Sequence, residues 1–492
     1  WESKSFSRLT TTIAKMAFGC LNLSTLEVKK NCDIVSSSLA RNKNTMNELL
    51  FREKEMGHFH TLLENALNCQ LYRGVQEITH VSGPLAVGKT FLLDEVRRLA
   101  AGRGIPVSKV DFSPEVEIVT DYTHRERVGD RYAGETGKIK LAEDVMNGLI
   151  LAADAPASRD IKPDDSPQTA IQVFNNYNHW LKFFLNRSTM LIIDHLDEAP
   201  PEIHDWLMTA FIPAIVEASQ EPINMYGPAP TLVALAGRIP LRSTHFSMPC
   251  KAMRKTEELP IRPFTREQTQ IADNRNLYSL TGGLPGLIEH IEQLPVEGLN
   301  DPIEQIRSVV EQVILPEIKP DDPDGLFAIA ATNRVDIPTI MEVTGKKTRK
   351  EAWALLRPLA NSGVVLDHPD GYGHQVVEGL RTPLRTYSRR IRPDLFAQVN
   401  EAAAAHATGE IQQGDFASVL ELIWSRACLG DSTRELEHQM GDTLLAAASN
   451  LSGDRLVELR AKIAVEVNSE DFRDILPPGA AVSLKQIALI SG

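Results

Sequence analysis

The sequence predicts an α/β fold: a parallel sheet covered by helices, followed by a mostly helical second half containing one small hairpin. Three observations carry this. The strand candidates before Arg254 are continuous apolar runs that alternate with helical segments, as strands buried on both faces do. One of them runs into a glycine-rich turn, Gly83 to Thr90, that opens a helix. Beyond Arg254 the pattern changes to helices joined by short connections.

Taken in order, residues 46–65 read as a helix, with Leu49, Met56, Phe59, Leu62 and Leu63 near helical spacing. Strands are expected at 76–82, 105–112, 189–193 and 231–236, and helices at 91–101, 139–152, 170–186 and 201–219. The polar stretch 113–167 holds few other signals. Helices are then expected at 265–280, 286–294 and 302–318. Pro320, Pro323 and Gly325 mark a boundary. Three short helices (326–332, 337–344, 349–362) precede strands at 364–366 and 375–377, the order of a winged helix. Residues 393–465 are rich in Ala, Leu and Glu and read as helical, with no fixed repeat. The resulting division is 1–45 without an assigned role, 46–245 a sheet-bearing core, 246–318 a helical lid, 319–390 a winged helix and 391–492 a helical C-terminal region.

A chain of 492 residues with 52 basic and 65 acidic side chains carries a net charge of −13, which argues against binding nucleic acid through bulk charge. That sum hides a basic segment. From Lys346 to Arg392 ten basic residues face four acids, a local balance of +6 against −19 for the rest. Five scattered cysteines with no C-x-x-C read as reduced thiols of a cytoplasmic protein. No apolar run reaches the length of a membrane span, so no membrane contact is expected. The stretch Ile13 to Leu26 carries Lys15 and Asn22 and no cleavage pattern, which argues against a signal peptide. A start at Trp1 fits a fragment, or a frame read upstream of Met16.

Gly83-Pro84-Leu85-Ala86-Val87-Gly88-Lys89-Thr90 is G-x-x-x-x-G-K-[ST], placed between a strand and a helix. Glycines at both ends let backbone N–H groups curl around phosphate oxygens. The helix that continues through Phe91 points its N-terminal partial charge at the same anion. Lys89 would set a cation on the β- and γ-phosphates of ATP, and Thr90 would ligate Mg2+. The apolar strand Met190 to Ile193 ends in Asp194, a second Mg2+ ligand, and Asp197-Glu198 lie just beyond it, where ligands bind open parallel sheets. Glu198 is the stronger candidate to activate water; the alternative is that this acid pair merely favours a helix start. A third strand ends in Gly237-Arg238, which would place a cation toward the γ-phosphate; the alternative is a surface arginine at a strand end. His195 has no nucleophile pattern beside it and is not read as a catalytic base.

The run Asp194-His195-Leu196-Asp197-Glu198 resembles the D-x-x-D-E signature of the STAND class of P-loop NTPases, to which the NACHT and NB-ARC branches belong. Ordinary AAA+ and origin-recognition ATPases usually set the two acids side by side at the strand end. Phe51-Arg52-Glu53 resembles the class's F-x-G-R-E element without its glycine; in relatives this segment lies along adenine and ribose, which makes Arg52 a nucleotide contact. Gly237-Arg238 matches the sensor arginine, and Gly282-Gly283-Leu284-Pro285 matches the lid's G-x-P, whose proline packs near the base. Gly373-His374-Gln375 resembles the M-H-D element in its histidine alone, so His374 is carried over as the β-phosphate contact with its flanking residues changed. The similarity covers about residues 48–385.

The resemblance implies a fold of P-loop NTPase core, helical lid and winged helix, with ATP or ADP and Mg2+ as cofactors. It also implies a switch: closed with ADP, opened by ATP or by a protein or ligand acting on the C-terminal helices, self-associating in the ATP state, and reset by slow ATP hydrolysis using Lys89, Asp197, Glu198 and Arg238. The competing reading is a DNA-associated ATPase that uses the basic residues 346–392 of its winged helix. A scaffold that holds nucleotide without much hydrolysis is the third.

Overall fold

Strands with no polar face need cover on both sides, and this requirement organises the first half of the chain. The computed structural model describes residues 52–68, 78–113, 117–121, 124–127, 132, 134–152, 188–215, 231–241, 256–272, 277–295, 301–367 and 373–489. The chain forms two units, Trp1–Glu53 and Lys54–Gly492. Of the first, only Arg52 and Glu53 are described; the helix expected at 170–186 and the segment 1–45 lie outside the described residues.

Helix α1 (Glu53–Leu67) turns Phe59, Leu62, Leu63 and Ala66 inward. There follow β1 (Ile78–Ser82), α2 (Lys89–Gly102), β2 (Val107–Asp111), the hairpin β3 (Glu117–Asp121) and β4 (His124–Arg127), and α3 (Gly134–Ala152). Next come β5 (Thr189–Asp194), α4 (Pro201–Trp206), β6 (Thr231–Gly237) and β7 (Thr256–Pro260). Five strands form one parallel sheet in the order β2-β5-β6-β1-β7. Every residue of β1 and β5 is buried. Leu141, Val145 and Met146 of α3 and Ile203 of α4 pack with Leu191, Ile193, Val233 and Leu235 into one core. Ser82, Asp194 and Gly237 end their strands at the same edge of the sheet, the place where open parallel sheets bind ligands.

Two strand features were not expected. The segment assigned to the lid contributes a fifth strand: β7 runs parallel to β1 from Thr256↔Ile78 to Pro260↔Ser82. It reads as polar because it is an edge strand, with Thr256 and Leu259 buried while Glu257 and Pro260 face solvent. Pro260, which lacks an amide hydrogen, is tolerated at such an edge. The β3–β4 pair falls in the polar stretch that gave few signals.

The second half is helical: α5 (Arg266–Ala272), α6 (Tyr278–Thr281), α7 (Pro285–Glu292) and α8 (Pro302–Ser308). The last continues through a π-helical segment, Val309–Ile314, into the short α9 (Leu315–Ile318). Pro316 explains the wide turn: its ring opposes the carbonyl four residues back and it has no amide hydrogen to donate. The expected single helix at 265–280 is instead two, α5 and α6.

The winged helix comprises α10 (Pro323–Ala331), α11 (Ile337–Thr344), α12 (Arg349–Asn361) and the hairpin β8 (Val365–Asp367) and β9 (His374–Val376). Each helix is started by a side-chain cap: Asp322 accepts from the Gly325 N–H, Asp336 from the Thr339 N–H, and Thr348 forms a capping box with Glu351. Then come α13 (Arg381–Ile391), α14 (Pro393–Gln412), α15 (Val419–Leu429), α16 (Thr433–Asn450), α17 (Gly453–Glu466), α18 (Glu470–Ile475) and α19 (Ala480–Leu489). Trp424, fully buried, centres this last core and donates its indole N–H to the Ala331 carbonyl of the winged helix at 2.7 Å. No described helix is long and apolar enough to cross a membrane.

Helix α18 ties the second half together. Asp474 bonds Arg266 of α5 and Arg385 of α13, each at 2.6 Å. Asp471 lies 3.3 Å from Arg381. Arg381 and Arg385 of α13 are both buried and lie over the Trp424 ring. Much of the basic segment is therefore spent internally: Lys346 pairs with Asp322 and Arg392 with Asp324, both at 2.9 Å, in addition to Arg381 and Arg385.

Candidate nucleotide-binding site

The site starts where β1 ends. Gly83 passes so close to β7's extension that any Cβ would lie 2.6 Å from the Ile261 carbonyl oxygen. Gly88, at φ 93°, turns the chain into α2, a conformation that costs other residues about 1–2 kcal/mol. Ala86 at the loop's apex also has positive φ, 59°. Its carbonyl accepts the N–H of Gly286 at 2.9 Å, which docks the start of α7, and with it buried Pro285, on the loop.

Lys89 Nζ donates to the carbonyls of Gly83 and Pro84, both at 2.8 Å. Burial pushes its ammonium down to about 8, with Arg238 lowering it further and Asp197, Asp194 and Glu317 opposing. Phosphate binding needs the protonated form. Nucleotide affinity is therefore expected to be flat below pH 8 and to fall by about tenfold per unit above it, with a proton taken up on binding. Fluorescent-ADP titrations between pH 7 and 9.5 measure this.

At the end of β5, Asp194 is 1% exposed. Its Oδ1 accepts the His195 N–H at 3.0 Å; its buried Oδ2 receives no hydrogen bond and lies 3.3 Å from Lys109 Nζ. A buried carboxylate oxygen with a lone pair unused suits a hard cation, so Mg2+ fits Asp194, with Thr90 opening α2. His195 takes a left-handed turn, φ 51°, and its Nδ1 lies 2.7 Å from Asp111 Oδ1. Burial alone would lower the imidazole, but the Asp111 hydrogen bond and the nearby carboxylates hold it above its ordinary value. Asp111, Asp194 and His195 each offer a ligand atom within 4.8 Å of the others. Lys109 and the Asp111–His195 pair gave no signal in the sequence, because they meet only across β2 and β5.

Arg238 is the centre of the site. It is 8% exposed, and its backbone N–H donates to Asp197 Oδ1 at 2.7 Å. Its Nη2 lies 2.9 Å from Glu198 Oε1 and 2.8 Å from Glu317 Oε2, and its Nε 3.6 Å from Asp197 Oδ2. Gly237 makes this possible: a Cβ there would sit 2.7 Å from Asp197 Oδ1 and 3.1 Å from His80 Nε2. His80, buried on β1, bonds Glu258 at 2.8 Å. Burial would raise the Glu258 carboxyl, but the His80 hydrogen bond and charge, with the Ser82 hydroxyl and the Leu241 N–H, together hold it low. A winged-helix glycine, Gly363, covers Arg238 so closely that a Cβ would lie 2.9 Å from the arginine Cβ.

The structure thus brings Gly83–Thr90, Lys89, Asp194, Asp197, Glu198 and Arg238 together, with Pro285 on the adjoining helix. Phe91 lies in the first turn of α2. His374 is placed in the wing hairpin, 3.1 Å from Asp367 and edge-on to Trp353. Arg52, buried, belongs to the first unit. Glu317 was missed by sequence reading, since an acid in a helix announces nothing about a partner 79 residues away.

No protein-family model matches the chain, and no curated protein does. Among solved structures it is similar to Cdc6p of Pyrobaculum aerophilum, at 13% identity and TM-score 0.33 over 70% of this chain and 94% of that one. It is similar to the ORC2 protein of Aeropyrum pernix in its ADPNP-ADP complexes, at 13% identity and TM-score 0.37 over 72% and 94%. It is also similar to a STAND protein of Pyrococcus horikoshii with a tetratricopeptide repeat sensor, at 11% identity and TM-score 0.25 over 86% of this chain and 58% of that one.

Proposed function

We propose that the chain is an ATP-binding, slowly hydrolysing switch, closed with ADP and opened by ATP. One observation carries this reading: Arg238 joins the acids beyond β5, the helix α9 and the winged helix at a single position beside Lys89 of the glycine-rich loop. A ligand shifts such an arrangement only through its differential affinity for the closed and open forms. Backbone N–H groups of Gly83–Thr90 hold the phosphates, Lys89 and Arg238 meet their charge, and Glu198 orients and deprotonates the attacking water. Asp197 fixes Arg238 through its backbone. Mg2+, held by Thr90 and Asp194, supplies charge neutralisation across the terminal phosphates when bound. Glu198 is itself engaged by Arg238, which favours slow turnover. Mass analysis of co-purified nucleotide, with sizing in ADP and in ATP, tests the switch: retained ADP and ATP-dependent self-association support it, and a nucleotide-free monomer that hydrolyses ATP rapidly refutes it. The C-terminal helices are the place for the input from a protein or ligand.

A second reading, DNA binding, is favoured by the outer face of α12. Arg349, Lys350 and Arg357 are exposed there around Trp353, which is 49% exposed, with Lys347 just before the helix. Four phosphate contacts predict a slope of log affinity against log salt of about −3.6 on duplex DNA, reduced by about 1.8 in the Arg349→Ala/Lys350→Ala variant. A gel shift across salt concentrations measures it.

A further inference from the structure

Two carboxylates crowd one guanidinium nitrogen, and Glu317 accepts its hydrogen bond. Nη2 of Arg238 lies 2.9 Å from Glu198 and 2.8 Å from Glu317. A further acceptor at this nitrogen competes with Glu317, the acceptor of its hydrogen bond. Glu198 ends the short 3-10 turn Leu196–Glu198 that follows β5 at the edge of the sheet. Glu317 stands instead on α9, four residues long, which leads through Lys319 at φ 49° directly into the winged helix. Carboxylate and phosphate oxygens offer a guanidinium the same kind of acceptor. The site's charge also favours exchange: Asp194, Asp197, Glu198 and Glu317 surround Lys89 and Arg238, so an incoming triphosphate meets an excess of negative charge that the loss of Glu317 would relieve.

We propose that Glu317 stands in for the γ-phosphate in the closed form: ATP, but not ADP, must take its place on Arg238, and the displaced α9 carries that exchange to the winged helix. The proposal rests on the nucleotide reading above and adds to it a residue that distinguishes ATP from ADP. It makes Glu317 a positioning residue, acting through Arg238.

The test is calorimetric binding of ADP and of the β,γ-imido analogue of ATP, each with Mg2+, to the full chain and to Glu317→Gln. The variant is expected to bind the analogue about tenfold more tightly while ADP affinity moves by less than about twofold, a coupling within the usual range. In an Arg238→Gln background the same substitution is expected to leave the analogue-to-ADP ratio unchanged. A merely structural role would move both nucleotides together, and would do so with or without Arg238; either result overturns the proposal, as does an unmoved ratio in Glu317→Gln. Should that variant not fold, Glu317→Ala is read the same way. An unsubstituted chain that binds neither nucleotide overturns the nucleotide reading and this inference with it, whereas tight ADP binding with an unmoved ratio overturns this inference alone.

Discussion

Replacing Asp474 by alanine is expected to destabilise the protein by about 3 kcal/mol, the cost of leaving a buried charge without its partner. The carboxylate serves two arginines at once, one oxygen each, at 2.6 Å. Arg385 has no route to solvent, being 3% exposed and laid over Trp424, so its charge stays buried when Asp474 is removed. Arg266 is 39% exposed and can rehydrate, so most of the loss falls on Arg385. Urea unfolding of the two proteins measures it. Asp474→Asn, which keeps an acceptor, should cost less, and Arg266→Ala should cost under about 1 kcal/mol because Arg266 is partly exposed and Arg385 still neutralises Asp474.

Glu198→Gln is expected to lower ATP turnover by about 10²- to 10³-fold while ATP remains bound, the size of effect that follows loss of a general base. Glutamine keeps an oxygen for Arg238 but cannot take a proton from water. The substitution should therefore spare nucleotide affinity, proposed above to lie with Gly83–Thr90 and Lys89, and remove chemistry. Single-turnover hydrolysis with retained nucleotide measured on the same sample separates the two. Unchanged turnover would move the base to another group at the sheet edge, of which Asp197 is the nearest by sequence.

The parts of this site that were readable in the sequence are those whose chemistry is local. A phosphate loop needs its glycines, lysine and threonine within eight positions, and a strand-end acid follows directly from an apolar run. Gly237-Arg238 was readable as a pair, but the reason for the glycine was not, because that reason is Asp197 arriving from the turn after β5. His80–Glu258, Asp111–His195 and Arg238–Glu317 are tertiary pairs, 178, 84 and 79 residues apart. No periodicity encodes such meetings. The basic segment teaches the same lesson: a charge count could not separate Arg381 and Arg385, consumed by α18, from Arg349 and Lys350, which face solvent. The α/β fold was legible in the buried strands β1, β5 and β6 and in the half-buried edge strand β2, and the fifth strand was hidden because an edge strand with one partner tolerates Glu257 and Pro260.

The π-helical segment Val309–Ile314 fixes something the ion pairs do not. A π turn amounts to one residue inserted into an α-helix, and each residue of an α-helix advances about 100° around the axis. Everything downstream is therefore phased by that insertion, Glu317 included. Had the helix from Pro302 run on in unbroken α geometry, the same amino acid would face roughly a quarter-turn away from Arg238. The meeting of these two side chains is thus set by the helix's count of residues as much as by their charges. A single-codon deletion between 309 and 314 would take out the inserted residue, restore α geometry and leave Glu317 facing Arg238, whereas straightening the segment with every residue kept would turn it away.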